Sequence, residues 1–436
     1  MSGDWMSDAD LVNAAQVYLP LSAAVIARLV HGPKPRQFAA CLLSLLWTVP
    51  ALLAVQIVNT GAGWWSYPIA AFGIHSIPIA CLVGWAVLWG LVPHLAFPRL
   101  GIVWVAAIMI DADLVFMPLC GSVVRLGPHW LVGEAIAVVV VLAPALSIAR
   151  WTYDNTHLRA RSAIQVATSG MIFLFLLPEI VFALRPGRGW APLLEEASWR
   201  RQIGIQLLLL LAVPGVSAVM EFVERGKGTP IPYDPPQRLV TSGMYRYCAN
   251  PMQMSCALAM LLWAAMLRNG WLIAAAFMSA IYSTGIARWD ESQDLAQRFG
   301  GAWCDYRAAV RDWRVRWRPY HAGPEARIYI AASCGPCSEV RSWIGARRPV
   351  GLLIVDAETL PSGSIRRMRY DPGDGSAAVD GVRAMGRALE HLNFGWAFAG
   401  ALLRIPGIWQ GVQLLMDASG LGPREVTSTI CEQRRV

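Results

Sequence analysis

Charged residues are scarce in this sequence of 436 residues: Asp, Glu, Lys and Arg make up only 15% of it, and 56% of the residues are hydrophobic. The mean hydropathy is +0.43. This composition excludes an ordinary soluble protein of this length and predicts an integral membrane protein. Because the N-terminus is acidic and the first apolar run lacks a small-residue cleavage site, no cleavable signal peptide is predicted.

Nine apolar runs have about the length, roughly 20 residues, that a helix needs to cross a bilayer. They lie near residues 11–31, 38–59, 68–92, 101–119, 131–149, 163–184, 203–222, 252–267 and 271–287, and the last two are the shortest. We therefore predict a multi-span α-helical membrane protein with about nine transmembrane helices.

Basic residues are also scarce in every second connection between these runs, and this asymmetry predicts the topology. The exception is the loop that carries Arg185, Arg188, Arg200 and Arg201. We expect the N-terminus outside and everything after Arg288 in the cytoplasm, in a bacterial inner membrane. The net charge of +8 then faces anionic lipid, so the predicted partner is the lipid bilayer and not nucleic acid.

Four ionisable residues lie within or beside apolar runs of the first half: His75, Asp111, Asp113 and Glu179. Such groups are costly in lipid, which makes them candidate site residues unless they pair with a neighbouring helix. Asp111 and Asp113 are two residues apart on a helix and do not share a face. We expect at most one of them to face a given cavity.

A proline-rich loop precedes the last two spans, in the sequence GTPIPYDPPQRLVTSGMYRYCANPMQMS from Gly228. Its prolines keep the chain extended, and Gly243 permits a tight turn before Tyr245 and Arg246. Asn250 is expected to cap the next helix, with Pro251 in its first turn.

A second polar cluster follows the two spans, with Glu291, Phe299, Trp303 and Tyr306 at helical spacing. Two antiparallel spans joined at residues 268–270 return the chain to its starting side of the membrane. We therefore expect the loop and the cluster to face each other, with room for a polar cofactor between them.

Three features follow one another in this part of the chain: the sequence LVTSGMYRYCANP, two helices, and the pattern E-x-x-x-L-x-x-x-F-G-x-x-x-x-x-Y. Together they resemble the isoprenylcysteine carboxyl methyltransferase and phospholipid N-methyltransferase superfamily over about residues 160–320. The resemblance implies S-adenosylmethionine bound at the cytoplasmic face and a lipophilic methyl acceptor that enters from the bilayer. The implied cofactor contacts are Gly243, Tyr245, Arg246, Asn250, Pro251, Glu291 and Tyr306, with Leu295, Phe299 and Gly300 in the second half of the motif.

Several motif positions depart from that superfamily: Ala249, Gln253, Ser255, Ser292 and Trp303. Two interpretations stay open, an active methyltransferase and a degenerate relative that only binds cofactor or lipid. An arginine such as Arg246 suits the cofactor's carboxylate, and a carboxylate such as Glu291 suits its ammonium or ribose. The acceptor is a carboxylate, a thiol or an amine; the absence of histidine from both clusters favours one that is already ionised.

The apolar spans stop before Gly323, and a separate soluble domain is predicted. A strand at 327–332, a helix start at 338–344 and a buried strand at 350–355 indicate a βαβ unit with a parallel sheet. The apolar segment 395–416 is interrupted by Arg404 and Pro406, which favours two short helices over a tenth span. RDWRVRWRPY at 311–320 has the composition of an interfacial anchor.

Cys334-Gly335-Pro336-Cys337 lies between the first predicted strand and the helix. A helix N-terminus lowers the pKa of a thiol, so Cys334 is the expected catalytic nucleophile and Cys337 the expected resolving thiol. A structural zinc site would need further ligands such as His391 and Cys431, and two inert thiols are a third interpretation. In a reducing cytoplasm the pair is expected to rest as a dithiol.

This domain resembles thioredoxin-like proteins and, over about residues 325–425, thiol-disulfide oxidoreductases named for an Asp-x-x-Cys-x-x-Cys motif, although Ala331 and Ser333 depart from the two patterns. The predicted organisation is N-terminal transmembrane helices at 1–150, a methyltransferase-like domain with an interfacial C-terminal helix at 151–320, and a thioredoxin-like domain at 325–436. Two functions follow. One is S-adenosylmethionine-dependent methyl transfer with an accessory dithiol domain, and the other is a membrane-tethered oxidoreductase that acts on a thiol partner.

Overall fold

The computed structural model describes residues 8–32, 35–68, 73–185, 187–230, 234–361 and 365–423. The chain forms two compact units, Met1–Glu195 with Thr229–Pro235, and Glu196–Gly228 with Pro236–Val436. Seven long apolar helices lie in roughly the first half of the chain, and a mixed α/β region with a four-stranded sheet follows at the C-terminal end.

The first unit is helical, with ten α-helices in its described part. They are α1 (Asp8–His31), α2 (Pro35–Ala62), α3 (Ile79–Gly90), α4 (Val92–Ala96), α5 (Ile102–Phe116), α6 (Trp130–Ala137), α7 (Ala143–Tyr153), α8 (Leu158–Met171), α9 (Leu177–Leu184) and α10 (Ala191–Glu195). Short π-helical turns at Val138–Leu142 and Ile172–Leu176 join α6 to α7 and α8 to α9 into continuous spans. Two-residue strands β1 (Trp65–Ser66), β2 (Gly73–Ile74), β3 (Ile77–Pro78) and β4 (Arg125–Leu126) pair in the connections.

Six candidate spans belong to this unit: Asn13–His31, Arg36–Ala62, Ile79–Ala96, Ile102–Cys120, Trp130–Tyr153 and Leu158–Leu184. Its core lies where α2 packs against α3 and α7. Ala51 and Ala145 are fully buried there beside Leu53 and Leu142. Small side chains let apolar helices approach closely, which is the main source of packing energy between helices in lipid.

Three of the four ionisable residues that the sequence analysis named in this unit have partners inside it. His75 Nε2 lies 2.7 Å from Glu179 Oε2, and the Trp190 indole N–H donates to Glu179 Oε1 at 2.7 Å. Asp113 is buried and accepts a hydrogen bond from Trp89 Nε1 at 2.8 Å, whereas Asp111 is exposed. The prediction that the two aspartates do not share a face is therefore confirmed.

The membrane part of the second unit begins with α11 (Ser198–Glu221), which continues as a π-helical turn to Gly226 and forms the seventh candidate span. Two shorter apolar helices follow, α12 (Pro251–Met266) and α13 (Gly270–Tyr282). Asn269 caps α13, because its Oδ1 accepts from the backbone N–H groups of Trp271 and Leu272.

The predicted cap of α12 is wrong. Asn250 occupies the position before α12 but its side chain makes no capping hydrogen bond, although Pro251 is the first helical residue as expected. The predicted helical spacing of the second polar cluster is interrupted, because the helix α14 (Arg288–Ala309) is broken at Gly300, where φ is +54° and ψ is −129°. Only glycine adopts that conformation readily, and the break separates Phe299 from Trp303 and Tyr306.

The C-terminal region contains a sheet with strand order β6-β5-β7-β8, from β5 (Ala326–Ile330), β6 (Leu352–Asp356), β7 (Arg369–Asp371) and β8 (Val379–Asp380). Strands β5 and β6 are parallel and are joined through α15 (Gly335–Ala346), so the predicted βαβ unit is confirmed. The other pairs are antiparallel. Ile328, Ile330 and Ile344 form the centre of its core.

Three helices complete this region: α16 (Val382–Leu389), α17 (Phe394–Arg404) and α18 (Ile408–Met416). The prediction of two short helices at 395–416 is confirmed, with the break at residues 405–407. Helices α16 and α17 approach closely at two glycines, since a Cβ on Gly400 would collide with the Gly386 carbonyl oxygen. Helix α17 also packs against α11, which attaches the α/β region to the last long span.

Candidate functional site

The turn at Gly243–Arg246 is a 3₁₀-helix held against α11. Gly243 has φ +60°, and a Cβ at this position would lie 2.7 Å from Glu221 Cγ. Its backbone N–H donates to Glu390 Oε2 at 3.2 Å, and the Ser242 hydroxyl donates to Glu221 Oε2 at 2.5 Å. The glycine is required here by both its backbone conformation and the close approach of Glu221.

A buried charge network surrounds this turn, formed by Glu221 of α11, Arg387 of α16, Glu390 directly after α16, and Arg404 of α17. Arg404 bridges the two carboxylates, with 2.6 Å from Nη1 to Glu221 Oε1 and 2.7 Å from Nη2 to Glu390 Oε1. Arg387 also pairs with Glu221, and its Nη2 lies 2.8 Å from Glu224 Oε2. The network joins the end of a candidate membrane span to the C-terminal α/β region.

Burial alone would lower the pKa of Arg387, but the three carboxylates around it outweigh burial and raise that pKa above its ordinary value. Arg387 therefore stays charged throughout the physiological range. Glu221 is fully buried, and Arg387, Glu390 and Arg404 are almost so. In such surroundings each charge depends on its partners, since an unpaired buried charge is expensive.

Arg246 lies beside this network and is only 9% exposed. Its contacts are long: Nη1 is 3.4 Å from the Tyr320 carbonyl oxygen and Nη2 is 3.5 Å from His391 Nε2. Its Nε has no hydrogen-bond partner among the described residues. A buried guanidinium with donors to spare is suited to an anionic group.

His391 is a titratable neighbour of Arg246 and is completely buried. Its Nδ1 lies 2.7 Å from the Val350 carbonyl oxygen, which can only accept, so Nδ1 carries the proton. Its Nε2 accepts from the Tyr370 hydroxyl at 2.9 Å. Burial and then the charge of Arg246 hold the pKa of His391 well below its ordinary value. The imidazole is therefore neutral, and it is occupied by these contacts rather than available for zinc.

The loop and the later helix meet, as the hairpin predicted. The Tyr306 hydroxyl donates to the Tyr245 carbonyl oxygen at 2.9 Å, and Arg298 donates to the Pro236 carbonyl oxygen. Ala249 packs with Tyr306 and Val310 in a small buried cluster. Tyr306 is only 1% exposed, so its phenol supports the loop from its buried side.

The segment 311–320 has an irregular backbone that runs along residues 246–249. Its backbone N–H groups donate from Arg316 to the Tyr247 carbonyl and from Tyr320 to the Arg246 carbonyl, at 3.0 and 2.9 Å. Gln253 is one of the residues that differ from the superfamily motif. Its side-chain oxygen accepts a hydrogen bond from the Ser283 hydroxyl, on the π-helical turn after α13. The side chains of Glu291 and Ser292 lie outside the described residues, as do Pro232 of the loop and Cys431.

Cys334 and Cys337 form the second candidate site. Cys334 occupies the N-cap position of α15, after the short loop 331–333 that follows β5, and the two sulfurs are joined in a disulfide with 5.1 Å between the Cα atoms. The expected resting dithiol is therefore not the state in the structure. The position at a helix N-terminus is the one that favours a thiolate once the pair is reduced.

A carboxylate that sequence reasoning missed holds the loop before Cys334. Glu358 Oε1 accepts from the backbone N–H groups of Ala332 and Ser333, at 2.9 and 3.1 Å, and from the Ser333 hydroxyl at 3.0 Å. Glu358 follows β6, and the carboxyl ends of neighbouring parallel strands lie at one edge of a sheet. The position of Glu358 just after the second predicted strand is the sequence feature from which its role could have been recognised.

Burial raises the pKa of Glu358, but the hydrogen bonds from Ser333 and Ala332 outweigh it and lower the pKa from 4.5. The ionised carboxylate therefore stabilises the folded state fully above that ordinary value, and the contribution is lost as pH falls through the lowered value. We expect Glu358→Gln to cost about 1–3 kcal/mol at pH 7. In thermal unfolding the difference from the wild type is expected to shrink as the pH is lowered below 4.5, and a difference that stays the same as the pH falls would contradict the assignment.

The chain matches no protein-family model, no curated protein and no solved structure in the comparisons made.

Proposed function

We propose that this integral membrane protein performs thiol-disulfide exchange through Cys334 and Cys337 in a thioredoxin-like C-terminal domain. The observation that carries the proposal is the disulfide at the N-terminus of α15, one short loop after a strand of a parallel pair. In this proposal α12 and α13 also span the bilayer, which brings the number of spans to nine.

The exchange balances without a further cofactor. The Cys334 thiolate attacks one sulfur of a partner disulfide, forms a mixed disulfide and releases the other partner sulfur as a thiolate. The Cys337 thiolate then attacks the Cys334 sulfur, which restores the intramolecular disulfide and releases the second partner thiol. Two electrons pass from the dithiol to the partner. Insulin reduction by the reduced, detergent-solubilised protein tests the proposal, and no rate above that of the reductant alone would refute it.

A second proposed activity is S-adenosylmethionine-dependent methyl transfer to a lipophilic acceptor. It is supported by the meeting of the two motif halves, in which the Tyr306 hydroxyl bonds to the Tyr245 carbonyl beside Arg246. The spare donors of Arg246 fit the cofactor's carboxylate, and Gly243 leaves room at the turn for the Glu221 side chain. When bound, the cofactor would supply an electrophilic methyl group.

The chain's own residues would mainly orient the donor and exclude water, which is the larger part of catalysis for a direct displacement. Arg246 would hold the donor's carboxylate. Tyr306 and the segment 311–320 would keep the Arg246 backbone in place through the hydrogen bonds described above. An acceptor that is already ionised would need no general base.

Calorimetric titration of S-adenosylmethionine into the full-length protein in detergent tests this second activity. We expect saturable binding that Arg246→Ala weakens by roughly tenfold to a hundredfold, because a hydrogen bond to a charged group contributes about 1.5–3 kcal/mol. Glu291→Ala is expected to weaken it as well.

The matched control is Arg238→Ala, which removes an exposed arginine from the loop just before Arg246 and should leave the affinity unchanged. Absence of binding to the wild type, or equal affinity in all three variants, would remove the methyltransferase proposal and leave the exchange proposal intact.

A further inference from the structure

A cavity lies in the first unit and takes no part in either proposed activity. It is lined by aromatic side chains from the connection after α2 and from α3, namely Trp65, Tyr67, Trp85 and Trp89. The space inside it that a water-sized molecule can reach is about 30 Å³. A group of aromatic rings around a small space suggests a binding site more than a packing defect, because packed interiors leave few such voids.

Glu134 of α6 also lines this cavity. It is only 6% exposed, and its Oε1 has no hydrogen-bond partner in the part of the chain that the structure describes. The residue lies in an apolar candidate span, Trp130–Tyr153. A buried carboxyl group without a partner is costly, and it must either hold a proton or meet a cation.

A second acidic side chain adds to the negative potential. Asp113 is 4% exposed and lies close enough to Glu134 for the two carboxyl groups to interact electrostatically. Its Oδ2 accepts from the indole N–H of Trp89, which connects it to the cavity wall. One carboxyl group in the lining and a second behind the wall favour a positively charged occupant.

The aromatic rings are held by their N–H groups. Trp89 donates to Asp113 at 2.8 Å, and Trp65 donates to Gln56 Oε1 at 3.2 Å. Because both N–H groups are already used, an occupant of the cavity would contact the π faces of these two rings. Gly133 allows α6 to approach them, since a Cβ there would lie 2.5 Å from a ring carbon of Trp65. The glycine thereby brings its neighbour Glu134 to the cavity.

We propose that this cavity binds a small organic ammonium cation. Aromatic faces attract such cations through the ring quadrupole, and an adjacent carboxylate supplies the opposite charge. Hard metal ions fit less well, because they take about six oxygen ligands and Glu134 and Gln56 are the carboxylate and amide groups of the described lining. The proposal is independent of both activities proposed above.

The test uses methylammonium, a small organic ammonium cation, and methanol, an uncharged molecule of about the same size, each titrated calorimetrically into the full-length protein in a maltoside detergent. We expect saturable binding of methylammonium and none of methanol at the same concentration. Glu134→Gln keeps the shape of the side chain but removes its charge, and we expect it to weaken methylammonium binding about tenfold or more. Trp85→Leu is expected to weaken it by roughly threefold to thirtyfold.

The matched control is Asp111→Asn, which removes an exposed carboxylate two residues from Asp113 and should leave methylammonium binding unchanged. Gel filtration and thermal unfolding identify variants that fail to fold. The two cavity variants lie on different helices, α3 and α6, so a shared loss of binding is not due to one disturbed helix. The proposal is wrong if methylammonium does not bind the wild type, if Glu134→Gln binds it equally well, or if methanol binds as tightly.

Discussion

Replacing Cys334 with serine is expected to lower the rate of insulin reduction by more than about a hundredfold, because removal of a nucleophile leaves only the uncatalysed reaction. Cys334 is the N-cap residue of α15, where the helix dipole stabilises the attacking thiolate. Replacing Cys337 with serine is expected to have a different outcome. Attack by Cys334 still occurs, but the mixed disulfide accumulates because its resolving thiol is missing.

The measurement for both variants is the reduction rate under a limiting small-molecule reductant, with mass spectrometry of the trapped adduct. The control is Cys304→Ser, since Cys304 is an exposed free cysteine outside the pair. Its loss should change neither the rate nor the adduct. If Cys334→Ser retains the wild-type rate, or if Cys337→Ser traps no partner, the pair does not act as a nucleophile and a resolving thiol.

Removal of the charge at Glu221 is the second large expected effect. Glu221→Gln keeps the size of the side chain but leaves Arg387 and Arg404 with one carboxylate fewer in a site closed to water. Breaking a buried ion pair from one side costs about 3–5 kcal/mol. For a unit of this size the melting temperature should fall by roughly 6–20 °C.

Thermal unfolding in detergent, followed by the reaction of buried thiols such as Cys248 with a dye, gives this measurement. The control is Glu195→Gln, which removes the same charge from an exposed pair with Arg188. Exposed ion pairs contribute about 0–1 kcal/mol to stability, so this variant should have nearly the same melting temperature as the wild type. Equal melting temperatures for the Glu221 variant and the wild type would show that the network does not stabilise the second unit.

The network also bears on how the α/β region is attached. Glu221 and Glu224 lie at the end of the last long span, and Arg387 and Arg404 approach them from α16 and α17. The predicted division at about residue 320 treats the C-terminal domain as a separate soluble body. In the structure its helices pack on α11 through charged groups, so Glu221→Gln should disturb both parts of the second unit together.

Sequence alone was enough to predict the seven long apolar helices, because about 20 consecutive apolar residues have one stable environment. The βαβ unit was equally recognisable, since strand and helix periodicities differ and Cys334 lies at their junction. The break at residues 405–407 was predictable from Arg404 and Pro406, because a charge and a proline interrupt an apolar helix. Helical geometry was enough to predict that Asp111 and Asp113 lie on different faces of their helix.

The partners of the buried polar residues came only from the tertiary structure. Nothing near Glu221 in the sequence points to Arg387 or Arg404, which are more than 160 residues away along the chain. Asn250 had the right position for a cap, yet its side chain makes no capping hydrogen bond. The break at Gly300 was likewise invisible, because glycine permits a positive φ without requiring it.

Local composition and periodicity thus determined which segments are apolar helices, where the α/β region begins and where its dithiol lies, since these properties depend on neighbours in the chain. Which carboxylate meets which arginine, which aromatic rings surround Glu134, and which carbonyl receives the Tyr306 hydroxyl were decided by the tertiary structure. Contacts of this kind form between segments distant in sequence. Their energy depends on burial and geometry that no single segment contains.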